Sequence, residues 1–253
     1  MKTWKIGRSG FGRSVRPLWM EVSAPAGTSI RSGWSFPRGP ETPTAPRRSG
    51  AALAADGGIW YTGAVMRVML HTCCGPCASA CVPVLREAGH EVLLFFSNST
   101  IDAEEEFERR LAAARTLAAA EDLTLAADAY DHADWLDKVA RGLEAEPERG
   151  RRCAKCFRYN LARAAAAAAA QGCDAFATSL TVSPHKVSVM VFAAGADAAR
   201  EAARVRGGAA GAPPVFLPVD FKKKDGFLRS LRRAAELGLY RQSYCGCEFS
   251  RRT

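Results

Sequence analysis

From Val68 onward the chain alternates short apolar, strand-forming runs with segments whose apolar residues recur at helical spacing, and nothing else in it constrains the fold as strongly. The spacing predicts strands over Val68–His71, Glu91–Phe96, Leu123–Ala126, Asp174–Ser179 and Val215–Val219. One helix is expected to open at Asp102, with Glu105 three residues on as a capping box, and to carry Phe107, Leu111, Ala114 and Ala118 on one face. A second carries Trp135, Val139 and Leu143. A third runs from Phe157 and Leu161 through the Ala164–Ala170 stretch to Gly172. The last carries Phe227, Leu231 and Ala234 and stops near Gly238, a C′ glycine. Alternation of this kind predicts an α/β fold: a mostly parallel sheet with helices on both faces, Rossmann-like (HUP-like) in its layering.

Residues 1–65 have a different composition. They hold nine Lys+Arg against three acids, a net of +6 out of the chain's +9, and four of its five Trp, yet no Cys and no sustained apolar period. Gly, Pro, Ser and Arg dominate, so this stretch is expected to be disordered or to come from a misplaced start, with a single domain over residues 66–253 beginning at or near Met66. A basic arm for RNA backbone is the alternative. Lys2, Lys5 and Arg8 lead into no apolar h-region, which argues against a secretory signal. No apolar run approaches the roughly 20 residues of a membrane helix, so no membrane partner is expected. The overall composition, 48% hydrophobic and 24% charged, is that of a globular chain, and a pI near 9.3 makes a phosphate-rich partner worth testing.

Nine cysteines in a chain expected to be cytoplasmic point to metal or redox chemistry rather than to structural disulfides. Seven fall into three groups. Cys73, Cys74 and Cys77 follow the first strand, where an open α/β sheet places its chemistry: beyond the carboxyl end of a strand, at a helix N-terminus that favours thiolates. Cys153 and Cys156 form a C-x-x-C, two sulfurs one helical turn apart and suited to a metal. Cys245 and Cys247 form a C-x-C, whose disulfide would close a small, strained, easily reduced ring. Cys81 and Cys173 are isolated and read as small buried hydrophobes.

Other motif readings compete for these residues. Cys74-Gly75-Pro76-Cys77 also fits a thioredoxin-like dithiol, which would leave the other cysteines unused. A radical-SAM triad fails because Ala80 stands where its third cysteine belongs. A four-cysteine zinc site stabilising an RNA-binding module is chemically sound. No Gly-rich phosphate loop is present.

Four segments taken together are more specific: His71-Thr72-Cys73-Cys74-Gly75-Pro76-Cys77, Arg152-Cys153-Ala154-Lys155-Cys156-Phe157, Ser183-Pro184-His185-Lys186, and Leu239-Tyr240-Arg241-Gln242-Ser243-Tyr244-Cys245-Gly246-Cys247-Glu248-Phe249-Ser250. As a set, from about Val68 to Arg251, they resemble the cobalamin-independent epoxyqueuosine reductases, the QueH family. The resemblance implies the last step of queuosine synthesis, removal of the epoxide oxygen from epoxyqueuosine at the tRNA wobble position. It also implies a 4Fe–4S cluster, assigned by motif matching to Cys73, Cys74, Cys153 and Cys156, and a redox-active pair, Cys245 and Cys247. Cys77 stands as a further ligand, replacing one of the four or joining the C-x-C sulfurs around a second metal, iron by expectation. The implied partners are the anticodon stem-loop of tRNA and an electron donor that the sequence does not identify.

Asp131 and His71 are candidate proton donors for that reaction, His71 equally a backbone-satisfied strand-end histidine. His185 is expected in the wall of a base pocket. Asp102 departs from the family pattern and is given only its capping role. Residues 220–253 hold nine Lys+Arg against four acids, a net of +5 flanking the C-x-C. Lys222, Lys223 and Arg241 are therefore candidate phosphate contacts, with Tyr244 or Tyr240 as a platform for a flipped base.

Overall fold

The structure, a computed structural model, describes residues 65–205 and 212–251, together with two-residue strands β1 (Ala52–Leu53) and β2 (Ile59–Trp60) that pair antiparallel with each other. The rest of the N-terminal stretch, including the basic residues assigned to it, lies outside the described residues.

Five strands form one parallel sheet: β3 (Arg67–Thr72), β4 (Glu91–Phe96), β5 (Leu125–Ala127), β6 (Ala175–Thr178) and β7 (Val215–Phe216), in the order β5-β4-β3-β6-β7. Side chains of β3 alternate between two buried layers. Val68 and Leu70 face a core completed by α1 (Gly75–Glu87), α2 (Glu104–Ala120) and α6 (Gly226–Glu236). Met69 faces the opposite core, built with α4 (Arg151–Ala170) and α5 (Ser188–Val205). Burial on both faces is why the strands read as continuous apolar runs. The architecture is the expected α/β, Rossmann-like one with helices on both faces.

All five expected strands form, shortened at β5, β6 and β7. The Ala-rich helix runs to Ala170 before Gly172, and the last helix gives way to Gly238; both glycines have positive φ. Helix α5 was not foreseen.

Two helix readings need correction. Helix α2 starts at Glu104 with Ala103 as N-cap, so Asp102 does not cap it. The Asp102 carboxylate is engaged instead by the Tyr244 hydroxyl (2.7 Å) and the Arg251 guanidinium (2.8 Å), stronger partners than a backbone amide. The helix expected over Trp135–Leu143 is one turn, α3 (His132–Trp135), continued by a π-turn over Leu136–Ala140. Leu143 lies beyond it because the chain turns at Gly142 (φ +74°), and the buried Arg152 guanidinium gathers the carbonyls of Leu143, Glu144 and Glu146.

The order of the sheet decides where chemistry can sit. Connections leave β3 towards β4 on one side and reach β6 on the other, so a crevice opens outside the carboxyl ends of β3 and β6, the place where open α/β sheets bind ligands.

Candidate metal and redox site

The first cysteine group stands in that crevice. Cys74 is the N-cap of α1, Pro76 occupies its first turn, and the Cys73, Cys74 and Cys77 sulfurs all lie within 4.8 Å of one another. Among the described residues this is the only such trio of potential metal ligands. The Cys73 amide donates to Ser179 Oγ at 3.1 Å, Asn98 donates to the Cys73 carbonyl, and Gln242 Nε2 donates to the Cys74 sulfur at 3.2 Å.

Hydrogen bonds from Cys73 and Cys77, joined by the Cys77 amide and Gln242, hold the Cys74 thiol well below its ordinary range. The same bonds work in reverse on its neighbours: the hydrogen bond with Cys74 pushes Cys73 up to about 11, and those with Cys73 and Cys74 raise Cys77. Of the three, Cys74 is thus the sulfur most readily ionised, and a soft cation held by the trio would bind the sulfurs as thiolates.

The second group opens α4. Cys153 lies in the first helical turn, where free N–H groups favour negative charge, and accepts a hydrogen bond from the Arg149 amide at 3.2 Å. Arg149 holds a positive φ of 70° to present that amide. One turn on, Cys156 meets Thr100 Oγ1 (3.3 Å) and Asn160 Nδ2 (3.4 Å), and burial pushes its thiol up to about 12.

The C-x-C closes the site from the C-terminus. Cys245 Sγ lies 2.5 Å from Lys186 Nζ, and Cys247 is buried with Trp135, Val139 and Ala140, with Cys156 packed alongside. Both thiols are free, and burial raises Cys247. Burial alone would depress the Lys186 ammonium, but its Coulombic interaction and hydrogen bond with Cys245, and its Coulombic interactions with Cys156 and Cys153, hold it above the ordinary lysine range. Lys186 also lines a small, open cleft with Cys153, Phe157, His185 and Met190.

The structure therefore sorts the seven cysteines into a trio, Cys73, Cys74 and Cys77, and a set around Lys186, namely Cys153, Cys156 and Cys245 with Cys247 behind. Cys73 and Cys153 pack against the same core layer. The donor set fits a sulfur-bound metal group: the donors are soft thiols, and three of them, those of Cys73, Cys74 and Cys77, already lie within 4.8 Å of one another. Cys81 and Cys173 are buried in the two cores, as expected.

The candidate proton donors are otherwise occupied. His71 is buried, donates from Nε2 to the Ser97 carbonyl (3.0 Å) and pairs through Nδ1 with the Thr178 hydroxyl (2.9 Å); burial lowers its pKa and keeps it neutral. Asp131 caps α3 by accepting from the Asp134 amide. Of the candidate RNA contacts, Lys222 is tied to Ser188 Oγ (2.6 Å) and the Lys186 carbonyl (3.1 Å), which sets its loop beside the cleft. Lys223 and Arg241 are exposed, Arg241 lying over the Phe227 ring. The Tyr244 ring has the Arg110 and Arg251 guanidiniums 5.1 and 4.9 Å from its centroid, and Tyr240 donates to Glu106.

Sequence reasoning gave no role to Lys186, Gln242 or Arg110. The first two sit inside the quoted motifs, which was the available signal. Arg110 offered only a charge beside the apolar stripe of α2.

The profile of the family described as "Epoxyqueuosine reductase QueH" matches residues 68–253. Proteins of that name are similar along most of the chain: one from Streptococcus pyogenes is 33% identical over 76% of this chain and 73% of its own length, and one from Staphylococcus epidermidis is 31% identical over 73% and 76%. One from Thermotoga maritima is 30% identical over 72% of this chain and 89% of its own. A trio of sulfurs beyond the carboxyl end of β3 and a family match over residues 68–253 lead to one assignment: the chain belongs to the epoxyqueuosine reductase QueH family.

Proposed function

We propose that the protein reduces epoxyqueuosine to queuosine at the wobble position of tRNA in the cytoplasm, the last step of queuosine biosynthesis. The observation that supports this reading is the trio of Cys73, Cys74 and Cys77 sulfurs within 4.8 Å of one another beyond β3, with Gln242, from the segment that carries Cys245 and Cys247, on the Cys74 sulfur. Removing the epoxide oxygen as water consumes two electrons and two protons and leaves the alkene of the cyclopentene diol.

Cys73, Cys74, Cys153 and Cys156 are assigned to a 4Fe–4S cluster, with Cys77 as a further ligand to it or to a second iron. Bound there, such a group supplies electrons one at a time and a Lewis acid for the epoxide oxygen. Cys245 and Cys247 are assigned as the redox pair; oxidation of two thiols to one disulfide releases two electrons and two protons, which balances the reduction. Lys186 stabilises negative charge on Cys245, and Trp135, Val139 and Ala140 keep water from Cys247. Exposed Lys223 and Arg241 are assigned to phosphates of the anticodon loop, Lys222 to supporting them, and Tyr244 to the base.

The test is reductase turnover on epoxyqueuosine-containing tRNA after anaerobic purification. Wild type is expected to be brown and active. Cys153→Ser is expected to lose iron, whereas Cys245→Ser keeps the colour and loses turnover. A colourless protein with stoichiometric zinc, or normal turnover by both variants, overturns the assignment.

A further inference from the structure

The turn that carries Cys245 and Cys247 is held from beneath by one buried side chain. Arg110, 1% exposed in the middle of α2, donates through its two terminal nitrogens to the carbonyls of Cys245 (3.0 Å) and Tyr244 (3.4 Å). Its Nε is fixed by Glu106 at 2.7 Å, and Glu106 also accepts from Tyr240 at the other end of the same segment. The next carbonyl, that of Gly246, accepts from the Asp102 amide at 3.0 Å. Three successive carbonyls, Tyr244 to Gly246, are thereby committed to α2 and the residues just before it. Gly246 (φ +133°) is the residue that allows this approach: a Cβ there would stand 3.3 Å from Ile101 and 3.4 Å from Arg110. From the surface, Asp102 latches Tyr244 and Arg251.

A buried guanidinium is costly to desolvate and belongs where planar, divergent donors are needed. Here each of its three nitrogens donates to the backbone of the C-x-C turn or to the carboxylate that orients it. Apart from Arg110 and its partner Glu106, the buried face of α2 is apolar.

We propose that Arg110 is a positioning residue: it sets the backbone of the Cys245-Gly246-Cys247 turn so that Cys245 meets Lys186 while Cys247 stays in its apolar pocket. This rests on the reading of the two cysteines as the working pair and names what fixes their geometry. Arg110→Lys keeps the charge and loses the fork.

The test uses the iron-loaded, full-length protein. Arg110→Lys is expected to lower kcat at least about tenfold with KM for the modified tRNA within about twofold, because misplacement acts on the chemical step. Alkylation mapped by mass spectrometry gives a second readout: the rates at Cys245 and Cys247 shift, while those at the buried Cys81 and Cys173 stay as in wild type. General loosening would raise all four. Uniform change, or no change at Cys245 and Cys247, overturns the proposal. Where Arg110→Lys does not fold, Asp102→Ala, which removes the surface latch but keeps the backbone amide, is expected to give the same selective pattern at smaller amplitude, and failure to do so counts equally against it. If Cys245→Ser turns over normally while Arg110→Lys still shifts Cys245 and Cys247 selectively, the redox-pair reading fails and the positioning role stands.

Discussion

Lys186 is the cation on which the C-terminal sulfur is centred, and its removal has a defined cost. A charge-assisted hydrogen bond of this kind contributes about 1.5–3 kcal/mol, so Lys186→Met should slow turnover about 10- to 150-fold if the charge on Cys245 is used in the rate-limiting step. Steady-state kinetics on the modified tRNA check this; turnover within about twofold of wild type contradicts it. The sequence placed this lysine in a motif but gave it no role, because its partner lies 59 residues away and a single lysine in a loop has no periodicity. The cysteines were legible because thiols in groups are rare and have few structural uses. His71 was half legible: its place at a strand end was clear, but the Thr178 and Ser97 groups that satisfy it come from other strands and their edges.

Elements place these residues through close contacts between them. At Gly75 an added Cβ would lie 2.5 Å from the Ala113 carbonyl, so α1 and α2 touch at the point from which the cysteine trio is suspended. Gly75→Ala should destabilise the protein by about 1–3 kcal/mol and reduce its iron content, measured by urea unfolding and metal analysis. Wild-type stability and iron loading in that variant would contradict the contact.

The latch between Asp102 and the C-terminal segment has a pH signature. Burial alone would raise the Asp102 carboxyl, but hydrogen bonds from Arg251 and Tyr244 bring it below its ordinary 3.8. A carboxyl lowered in the folded state contributes stability that is complete at neutral pH and disappears as pH falls through the folded value. Asp102→Asn should therefore be less stable than wild type at about pH 7 and indistinguishable from it at about pH 2. A difference that persists at the acid end would assign the effect to packing instead.

At this scale the sequence was a good guide to strands buried on both faces and to the Ala-rich helix, whose signals are local. It misplaced the start of α2, since Asp102 could cap only if Tyr244 and Arg251 left it free. It missed α5, where Val187, Val189 and Val191 alternate like a strand and Gly195 interrupts the helical pattern; that glycine is needed because the Phe216 ring fills the space a Cβ would take.

For the whole molecule, the parallel sheet starts beside Met66, which is buried and whose carbonyl accepts from the Glu91 amide at 2.9 Å. A chain starting at Met66 is expected to fold with wild-type stability and to turn over the modified tRNA with unchanged kcat. A rise in KM confined to low-salt conditions would assign residues 1–65 to RNA backbone binding. The fold class was readable because strand–helix alternation admits few topologies. The sorting of seven sulfurs into a trio and a set around Lys186 was not readable, because it depends on which strand ends become neighbours.

The most direct test of the account is single-turnover reduction of epoxyqueuosine-containing tRNA by iron-loaded and metal-stripped protein, with the nucleoside products resolved by mass spectrometry. The iron-loaded protein is expected to convert epoxyqueuosine to queuosine and the stripped protein to leave it unchanged, with activity returning on reconstitution. Conversion by metal-free protein at the wild-type rate would contradict the claim that the converging cysteines work by holding metal.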